Sequence, residues 1–314
     1  MTVVSPPRPL KEANRLTQIL DARFGIDRFD RQPVDAAWLA KEYSRQIAPE
    51  SPIHDVEERD IPGCMGALVY SEAKPRQWGI YYQKGQSLGR RTFTVGYELG
   101  HYLLHRELIE TDSRFEGGIT CDEQSILQRD GQGIEKEADS FAAALLMPLH
   151  DFRSRLAPGA RPDFDILTAL AKRYGVSLTA AILRWLEYTE TRAMMVVSNE
   201  GYAHWARPSS AALRSGLFIR TKQVLYELPA RVVAVTRMFS DETKAGIAQP
   251  KEVWGFSEAP LEMCIRLERY DQEITLLHFD KSAPVFQQEE DTEDTYDRFM
   301  ANGQLPSTPS RFGR

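Results

Sequence analysis

The sequence has little of what marks a membrane, secreted or nucleotide-binding protein. No apolar run approaches the ~18–20 residues that a membrane span needs, and the first residues lack the apolar core of a signal peptide. The three cysteines are widely spaced, which argues against a disulfide framework. The segment GQSLGR lacks the spacing and the lysine of a P-loop. We therefore expect a cytoplasmic protein with reduced thiols and no membrane partner.

The chain also lacks the basic surplus of a protein whose whole surface binds nucleic acid. Among its 314 residues, 39 are Lys or Arg and 45 are Asp or Glu, which gives a formal net charge of −6. Only a local basic face could therefore contact DNA. Because 42% of the residues are hydrophobic, the chain can bury a core, and its length suits one large domain or two to three modest ones.

Apolar spacing predicts a mixture of helices and strands. Asp35, Ser87, Asp163 and Ser177 are the candidate helix starts, and Gly175 is the candidate break between the last two helices. The expected helices lie near residues 10–24, 34–47, 93–104, 134–148, 163–174 and 177–188, and the expected strands near 65–72, 77–84, 194–199, 202–207, 263–271 and 273–280. Polar residues with Pro and Gly predict loops at 49–63 and 106–133.

The stretch LTALAKRYGVSLTAAILRWL has the outline of a helix-turn-helix motif. One interpretation is DNA binding, and the other is a helical hairpin that packs on the main domain. The second helix offers only Arg184, Thr179 and Glu187 to a DNA groove, so the sequence favours the hairpin.

The stretch FTVGYELGHYLL, residues 93–104, is one residue away from the H-E-x-x-H zinc signature. In that signature two His one helical turn apart bind zinc, and the Glu beside the first His is the general base for the metal-bound water. Glu98 and His101 fit this pattern, but Tyr97 stands where the first His is expected. His105, one turn further, is expected to pack or to orient a neighbour.

A later helix can supply a third ligand, as a carboxylate does in short zincins. Glu135 fits, because helical spacing places it in line with Ala138 on the buried side, and Glu137 is the alternative. Either could instead be a solvated glutamate that the helix dipole favours. Gly96 and Gly100 inside the motif helix predict a closely packed neighbour, because an interior glycine costs roughly 1 kcal/mol against alanine.

The blocks FTVGYELGHYLLH and EKEADSFAAALLMP together resemble the ImmA/IrrE metallopeptidase family. The family pattern is similar to F-T-x-A-H-E-L-G-H-x-L-L-H followed by E-x-x-A-(N/D)-x-F-A-A-x-L-L-M-P. The resemblance, which covers roughly residues 10–190, implies a zincin-like domain with a Zn²⁺ cofactor. It implies His101, Glu135 and the residue at position 97 as metal ligands and Glu98 as the general base. Such proteins cut a partner repressor of the helix-turn-helix class, often after DNA damage.

The sequence pattern and the resemblance together indicate an order of domains within an α+β fold class. We expect a zincin-like metallopeptidase domain at 1–158, with helices around a small edge-exposed sheet, and a helix-turn-helix-like extension at 159–190. An α+β sensor that is similar to a GAF domain in architecture would occupy 191–285, and an acidic tail 286–314. Single-stranded DNA is a possible activator, suggested by the family's damage response and by the basic residues Arg207, Arg214, Arg220, Lys222, Arg231 and Arg237.

Tyr97 allows three interpretations of this chain. It could be a lost ligand in a pseudo-peptidase, because a neutral phenol with a pKa near ~10 is a poor zinc ligand. It could bind zinc as phenolate if the metal lowers its pKa. It could also replace a natural His in an inactivated variant. We expect a zinc-dependent endopeptidase that cleaves a companion repressor, and the alternative is a non-catalytic regulator that binds the repressor or nucleic acid.

Cys64 is a further candidate metal ligand, since it directly precedes the strand at 65–72. Residues 66–70 are expected at the edge of the cleft, where a substrate could add as a further strand. A thiolate there could cap the zinc and keep the enzyme silent, as defence-associated relatives suggest, with nucleic acid released by damage as the trigger. Cys121 is a second candidate, and the alternative for Cys64 is a small buried cysteine at the start of a strand.

Overall fold

The computed structural model of the protein describes residues 8–71, 76–115, 117–121, 133–221 and 225–280. Its described residues up to Phe279 pack as one compact unit. The acidic tail expected at 286–314 and the basic residue Lys222 lie outside the described residues, and Cys121 is described only in its backbone.

The N-terminal two thirds of the chain hold the larger helices and a four-stranded sheet. The helices are α1 (Pro9–Phe24), α2 (Ala36–Ile47), α3 (Leu88–Thr111), α4 (Ile134–Leu146), α5 (Leu149–Arg155), α6 (Phe164–Tyr174) and α7 (Leu178–Tyr188). The strands are β1 (Ile53–Arg59), β2 (Gly66–Tyr70), β3 (Trp78–Gln83) and β4 (Gly118–Cys121), in the sheet order β1-β3-β2-β4. β1 runs parallel to β3, and β2 runs antiparallel to both of its neighbours.

The helix starts follow from their capping residues. The side chains of Asp35, Ser87, Asp163 and Ser177 each accept a hydrogen bond from the backbone N–H three residues later. Such a cap satisfies one of the donors that a helix leaves open at its N-terminus. Gly175 ends α6 in the left-handed conformation, with φ 62°. These boundaries confirm the sequence-based expectation.

The two glycines of α3 let α4 approach it closely. A Cβ on Gly100 would lie 3.0 Å from Cδ1 of Phe141 and 3.2 Å from Cα of Ala138, and a Cβ on Gly96 would lie 3.2 Å from Cδ1 of Leu146. The predicted close neighbour is therefore confirmed, and it is the helix that carries Glu135.

Two predicted loops are wrong in part. The loop predicted at 49–63 contains β1, where only Ile53 is buried, so apolar alternation gives no signal for this strand. The loop predicted at 106–133 begins with the last turn of α3, which ends at Thr111, and it includes β4. β4 also overturns the expected edge position of residues 66–70. Because β2 lies hydrogen-bonded between β3 and β4, a substrate cannot add to it as a further strand.

The turn between α6 and α7 does not present a free recognition helix. Residues 180–186 of α7 are all buried, at 9% exposure or less, and Arg184 donates from Nε to the carbonyl oxygen of Met147 at 2.9 Å. The hairpin interpretation is therefore the one that the packing supports. Among the described residues, no single helix combines the length and the apolar character needed to cross a membrane.

The C-terminal region is an antiparallel sheet of order β7-β6-β5-β10-β9-β8. Its elements are β5 (Ala193–Asn199), β6 (Tyr202–Pro208), α8 (Ser210–Arg214), β7 (Tyr226–Glu227), α9 (Val233–Thr236), α10 (Asp241–Ala245), β8 (Ile247–Ala248), α11 (Lys251–Trp254), β9 (Leu261–Leu267) and β10 (Gln272–His278). Both predicted hairpins are present. The likeness to a GAF domain stays a prediction.

The C-terminal sheet buries both of its faces. Along β5, Met195 and Val197 join the core that includes α7, whereas Met194 and Val196 join a second core beneath the short helices. This follows from the two-residue period of a strand, which alternates side chains between faces. The sheet is thus tied to the motif-bearing part of the chain through a shared apolar core.

Candidate active site

α3 carries the first three candidate residues into the interior. Tyr97, Glu98 and His101 are all fully buried. Tyr97 and His101 are four residues apart and therefore lie on one face of the helix, with their rings edge to face and the centroids 4.9 Å apart. The helix thus presents a phenol and an imidazole side by side, with the carboxyl of Glu98 next to them in sequence.

α4 brings Glu135 to the same point. The hydroxyl of Tyr97 donates a hydrogen bond to Oε2 of Glu135, and Nε2 of His101 lies 3.6 Å from the same oxygen. Burial acts to raise the pKa of Glu135, but the neighbouring His101 and Tyr97 outweigh it, so this pKa lies below its usual value. Of the two glutamates considered from the sequence, Glu135 is the one beside His101.

Glu137 contacts His105 instead. Oε2 of Glu137 lies 2.8 Å from Nε2 of His105, and Nδ1 of His105 lies 3.2 Å from Nδ1 of His101. Burial is the main reason that the pKa of His105 is lowered. A chain of contacts therefore runs from Glu137 through His105 to His101 and orients the candidate ligand, which is the role expected for His105. No sequence signal predicts the contact between Glu137 and His105, because these two residues lie on different helices.

Gly66 is a site residue that the sequence reasoning missed. A Cβ built on Gly66 would lie 2.5 Å from Oε1 of Glu98 and 2.5 Å from Cγ2 of Thr94. The backbone of β2 therefore crosses directly over the carboxyl group of the candidate base, and only glycine leaves room for it. The one available signal is that this glycine opens a strand, where a close approach often explains it.

The two candidate capping residues, Cys64 and Cys121, lie just before β2 and at the end of β4. Cys64 is a free, half-buried thiol in the turn before β2, and its N–H donates to the carbonyl oxygen of Ile61 at 3.0 Å. The hydrogen bonds and ion pairs described for His101 and Glu135 do not include Cys64. The backbone of Cys121 pairs with Gly66 in the sheet. The thiolate cap stays a prediction.

His101 and Glu135 are donors of the kind that hold a catalytic zinc, which takes three protein ligands. Ligands at ~2.0–2.2 Å from a tetrahedral zinc lie roughly 3.3–3.6 Å apart, so the 3.6 Å between His101 Nε2 and Glu135 Oε2 fits a shared ion. The third position holds the phenol of Tyr97, which gives its hydrogen bond to Glu135. In the part of the chain that is described, no group of three or more His, Cys, Asp or Glu could hold a metal. These residues therefore do not fit a complete zinc site.

Comparisons with known proteins bear on the same region. The sequence model for the IrrE N-terminal-like domain, family Peptidase_M78, matches residues 51–186. No curated protein matches the chain significantly. A solved structure of a Mycobacterium tuberculosis transcriptional regulator is similar, with a TM-score of 0.49 and 12% identity over 87% of this chain and 81% of that one. This likeness is too distant to support a functional argument.

Proposed function

Because residues 51–186 belong to the ImmA/IrrE family, we propose that this protein is a cytoplasmic regulator that recognises a companion helix-turn-helix repressor with its peptidase domain. In the chain as it stands, Tyr97 keeps the peptidase site silent. The family is one of metallopeptidases, so the corresponding active form would be a zinc-dependent endopeptidase that cleaves the repressor and derepresses its genes.

The hydrogen bond from Tyr97 to Glu135 carries this proposal. A phenol that donates a hydrogen bond to a carboxylate keeps its proton, and a neutral phenol is a poor metal ligand. Its hydroxyl also occupies the carboxylate oxygen that would face the ion. Deprotonation of the phenol without a metal would place two negative oxygens together in a buried site, where such repulsion is poorly screened. The site is therefore most stable as a closed cluster of phenol, carboxylate and imidazole.

The spacing of His101 and Glu135 supports a second candidate, an active endopeptidase. It requires residue 97 to become a ligand, either as phenolate or after replacement by His. Glu98 would then take a proton from the attacking water and pass it to the leaving amine. Its fully buried position beneath Gly66 suits that task, because a dry site strengthens the interaction of the base with its proton.

Incubation with the repressor encoded next to this gene separates the two candidates. We expect the wild-type chain to form a stable complex without fragments, and the Tyr97→His variant to produce fragments that a chelator abolishes. The Tyr97→Phe variant is the matched control, because it keeps the ring and removes the hydroxyl, and it should give no fragments. Chelator-sensitive cleavage by the wild-type chain would mean that Tyr97 is not silencing. Absence of any complex would reject the repressor as the partner.

Activation by single-stranded DNA is a separate part of the proposal. It is supported by the exposure of Arg214, Arg220, Arg231 and Arg237, since exposed cations bind phosphates and release counterions. A titration with an oligonucleotide at low salt should show binding that weakens as salt increases. A titration that shows no binding at low salt would reject it.

A further inference from the structure

A cavity of about 200 Å³ lies where three parts of the chain meet. α3, the start of α7 and the hairpin of β9 and β10 form its walls. Its apolar lining includes Phe93, Leu178, Leu183 and Leu267. Nothing in the proposed chemistry of Tyr97, Glu98 and His101 uses this space.

The cavity adjoins the candidate base. Thr94, which lines it, lies one helical turn before Glu98. The methyl group of Thr94 and the carboxyl of Glu98 both lie against Gly66, each 2.5 Å from the position of an added Cβ. Met65, the residue before Gly66, also lines the cavity. The cavity and the candidate base therefore share a wall, formed by Thr94 and the start of β2.

Close contacts fix the walls relative to one another. A Cβ on Gly89 would lie 2.4 Å from the carbonyl carbon of Val176, so the start of α3 packs directly on the turn before α7. On the other side, Nη2 of Arg269 donates to the carbonyl oxygen of Gly85 at 2.6 Å. The cavity is therefore preformed, which lowers the entropic cost of filling it.

The C-terminal hairpin adds a second attachment through an aromatic ring. The guanidinium of Arg90 lies 4.4 Å from the ring centroid of Tyr270, and both residues line the cavity. Leu267 and Gln272 line it from the same hairpin. The region expected to be a sensor thus supplies one wall of a pocket beside the peptidase site.

We propose that this cavity is a specificity pocket for one bulky apolar side chain, of the size of Phe or Leu, in the polypeptide bound at the site. A cavity on the order of 150 Å³ lined by Leu, Ile and Phe binds benzene in another protein, so the volume here suffices for such a group. Arg90 and Asp139 line the cavity with opposite formal charges, so the lining residues have no net charge, which favours an uncharged occupant. The proposal rests on the function proposed above, because the occupant belongs to the recognised protein.

The test uses the full chain and two model ligands, N-acetyl-L-phenylalaninamide and N-acetyl-L-alaninamide, titrated by NMR. We expect the first to bind at least about 10-fold more tightly, the lower bound for discrimination in an apolar pocket. Ala180 lines the cavity, and Ala180→Leu should remove the preference by filling it. The matched control is Ala245→Leu, the same change at an exposed position of α10, which should leave it intact.

A second variant keeps the test decisive if Ala180→Leu does not fold. Leu267→Ala enlarges the pocket from the hairpin side and should shift the preference toward N-acetyl-L-tryptophanamide. Equal binding of the phenylalanine and alanine amides by the wild-type chain would overturn the proposal, and so would a preference that neither variant changes. Selective binding of an anion such as acetate would overturn it in favour of a small-molecule site.

The repressor provides an independent readout. If the wild-type chain binds the repressor and Ala180→Leu weakens that complex, both proposals stand. If the wild-type chain and Ala180→Leu bind the repressor equally well, the pocket proposal fails and the proposed repressor partner stands. If the repressor does not bind the wild-type chain but the phenylalanine amide still binds with the expected preference, the repressor is not the partner. The proposal of a pocket for an apolar side chain then stands.

Discussion

The site between α3 and α4 and the C-terminal sheet both bury ionisable side chains. The pKa of the buried glutamate is raised in the sheet and lowered at the site. In the sheet, burial raises the pKa of Glu262 and lowers the pKa of His278 to about 4, which favours the neutral form of each. At the site, the pKa of Glu135 is lowered despite burial, because His101 and Tyr97 face it.

The contacts explain this difference. Glu262 accepts hydrogen bonds from the neutral donors Val233 N–H, Gln249 Nε2 and Trp254 Nε1 at 2.9, 2.7 and 3.2 Å, so it is held as a structural acceptor. Glu135 instead keeps a negative charge beside an imidazole, as a ligand or a recognition site requires. Mutations in the two regions should therefore separate stability from function.

The largest expected effect on stability is that of Glu262→Ala. Its removal leaves two buried donors, Val233 N–H and Trp254 Nε1, and the partly buried Gln249 Nε2 without an acceptor. Each buried donor costs about 1–3 kcal/mol, so we expect a loss of about 3 kcal/mol or more. Chemical unfolding measures it. Repressor binding by the folded fraction should be unchanged. A variant that is as stable as the wild-type chain but has lost binding would contradict the structural role of Glu262.

A pH dependence of similar size is expected from His278, which is buried against Trp185 with the ring centroids 5.6 Å apart. The folded pKa of about 4 lies below the unfolded value near ~6.5. The folded state therefore binds fewer protons, and stability should fall as the pH falls from ~6.5 toward 4, by up to about 3 kcal/mol. His278→Phe should flatten this part of the profile. An unchanged slope in that variant would assign the effect to another group.

Gly66→Ala should have a smaller effect on stability and a clear effect on the site. The new methyl group would collide with Glu98 and Thr94, and such overpacking costs about 1–3 kcal/mol. In the Tyr97→His background the displaced base should reduce cleavage. Gly159→Ala is the matched control, because nothing lies within 4 Å of an added Cβ there. Equal behaviour of the two variants would contradict the position assigned to Glu98.

Glu135→Ala should cost less stability than Glu262→Ala, about 1–3 kcal/mol, because it leaves one buried donor, the hydroxyl of Tyr97, without this acceptor. In the Tyr97→His background the same change should abolish zinc binding. Thermal unfolding measures the loss of stability, and metal analysis of the same preparation measures the zinc content. A large loss of stability would make Glu135 resemble Glu262 and remove the contrast between the two regions.

Local signals predicted the six longer helices of this fold but not α5 or the short helices α8–α11. Ser87, Asp163 and Ser177 mark helix starts because a cap acts on its own next turn. β1 gives no comparable signal, since only Ile53 is buried and its partner strand is 25 residues further along.

The same distinction between local signals and contacts of distant segments applies to the candidate site. Helical spacing puts Tyr97 and His101 on one face and Glu135 on the buried side of its helix. Spacing cannot show that the phenol donates to that carboxylate, or that Gly66 lies over Glu98, because both contacts join separate segments.

The zinc content of purified wild-type protein and of the Tyr97→His variant, after loading with zinc and dialysis, tests the central claim most directly. We predict that the variant retains near-stoichiometric zinc that Glu135→Ala removes, and that the wild-type chain retains far less. Equal, tight and stoichiometric zinc in both proteins would show that Tyr97 is a ligand, and it would contradict the silent site.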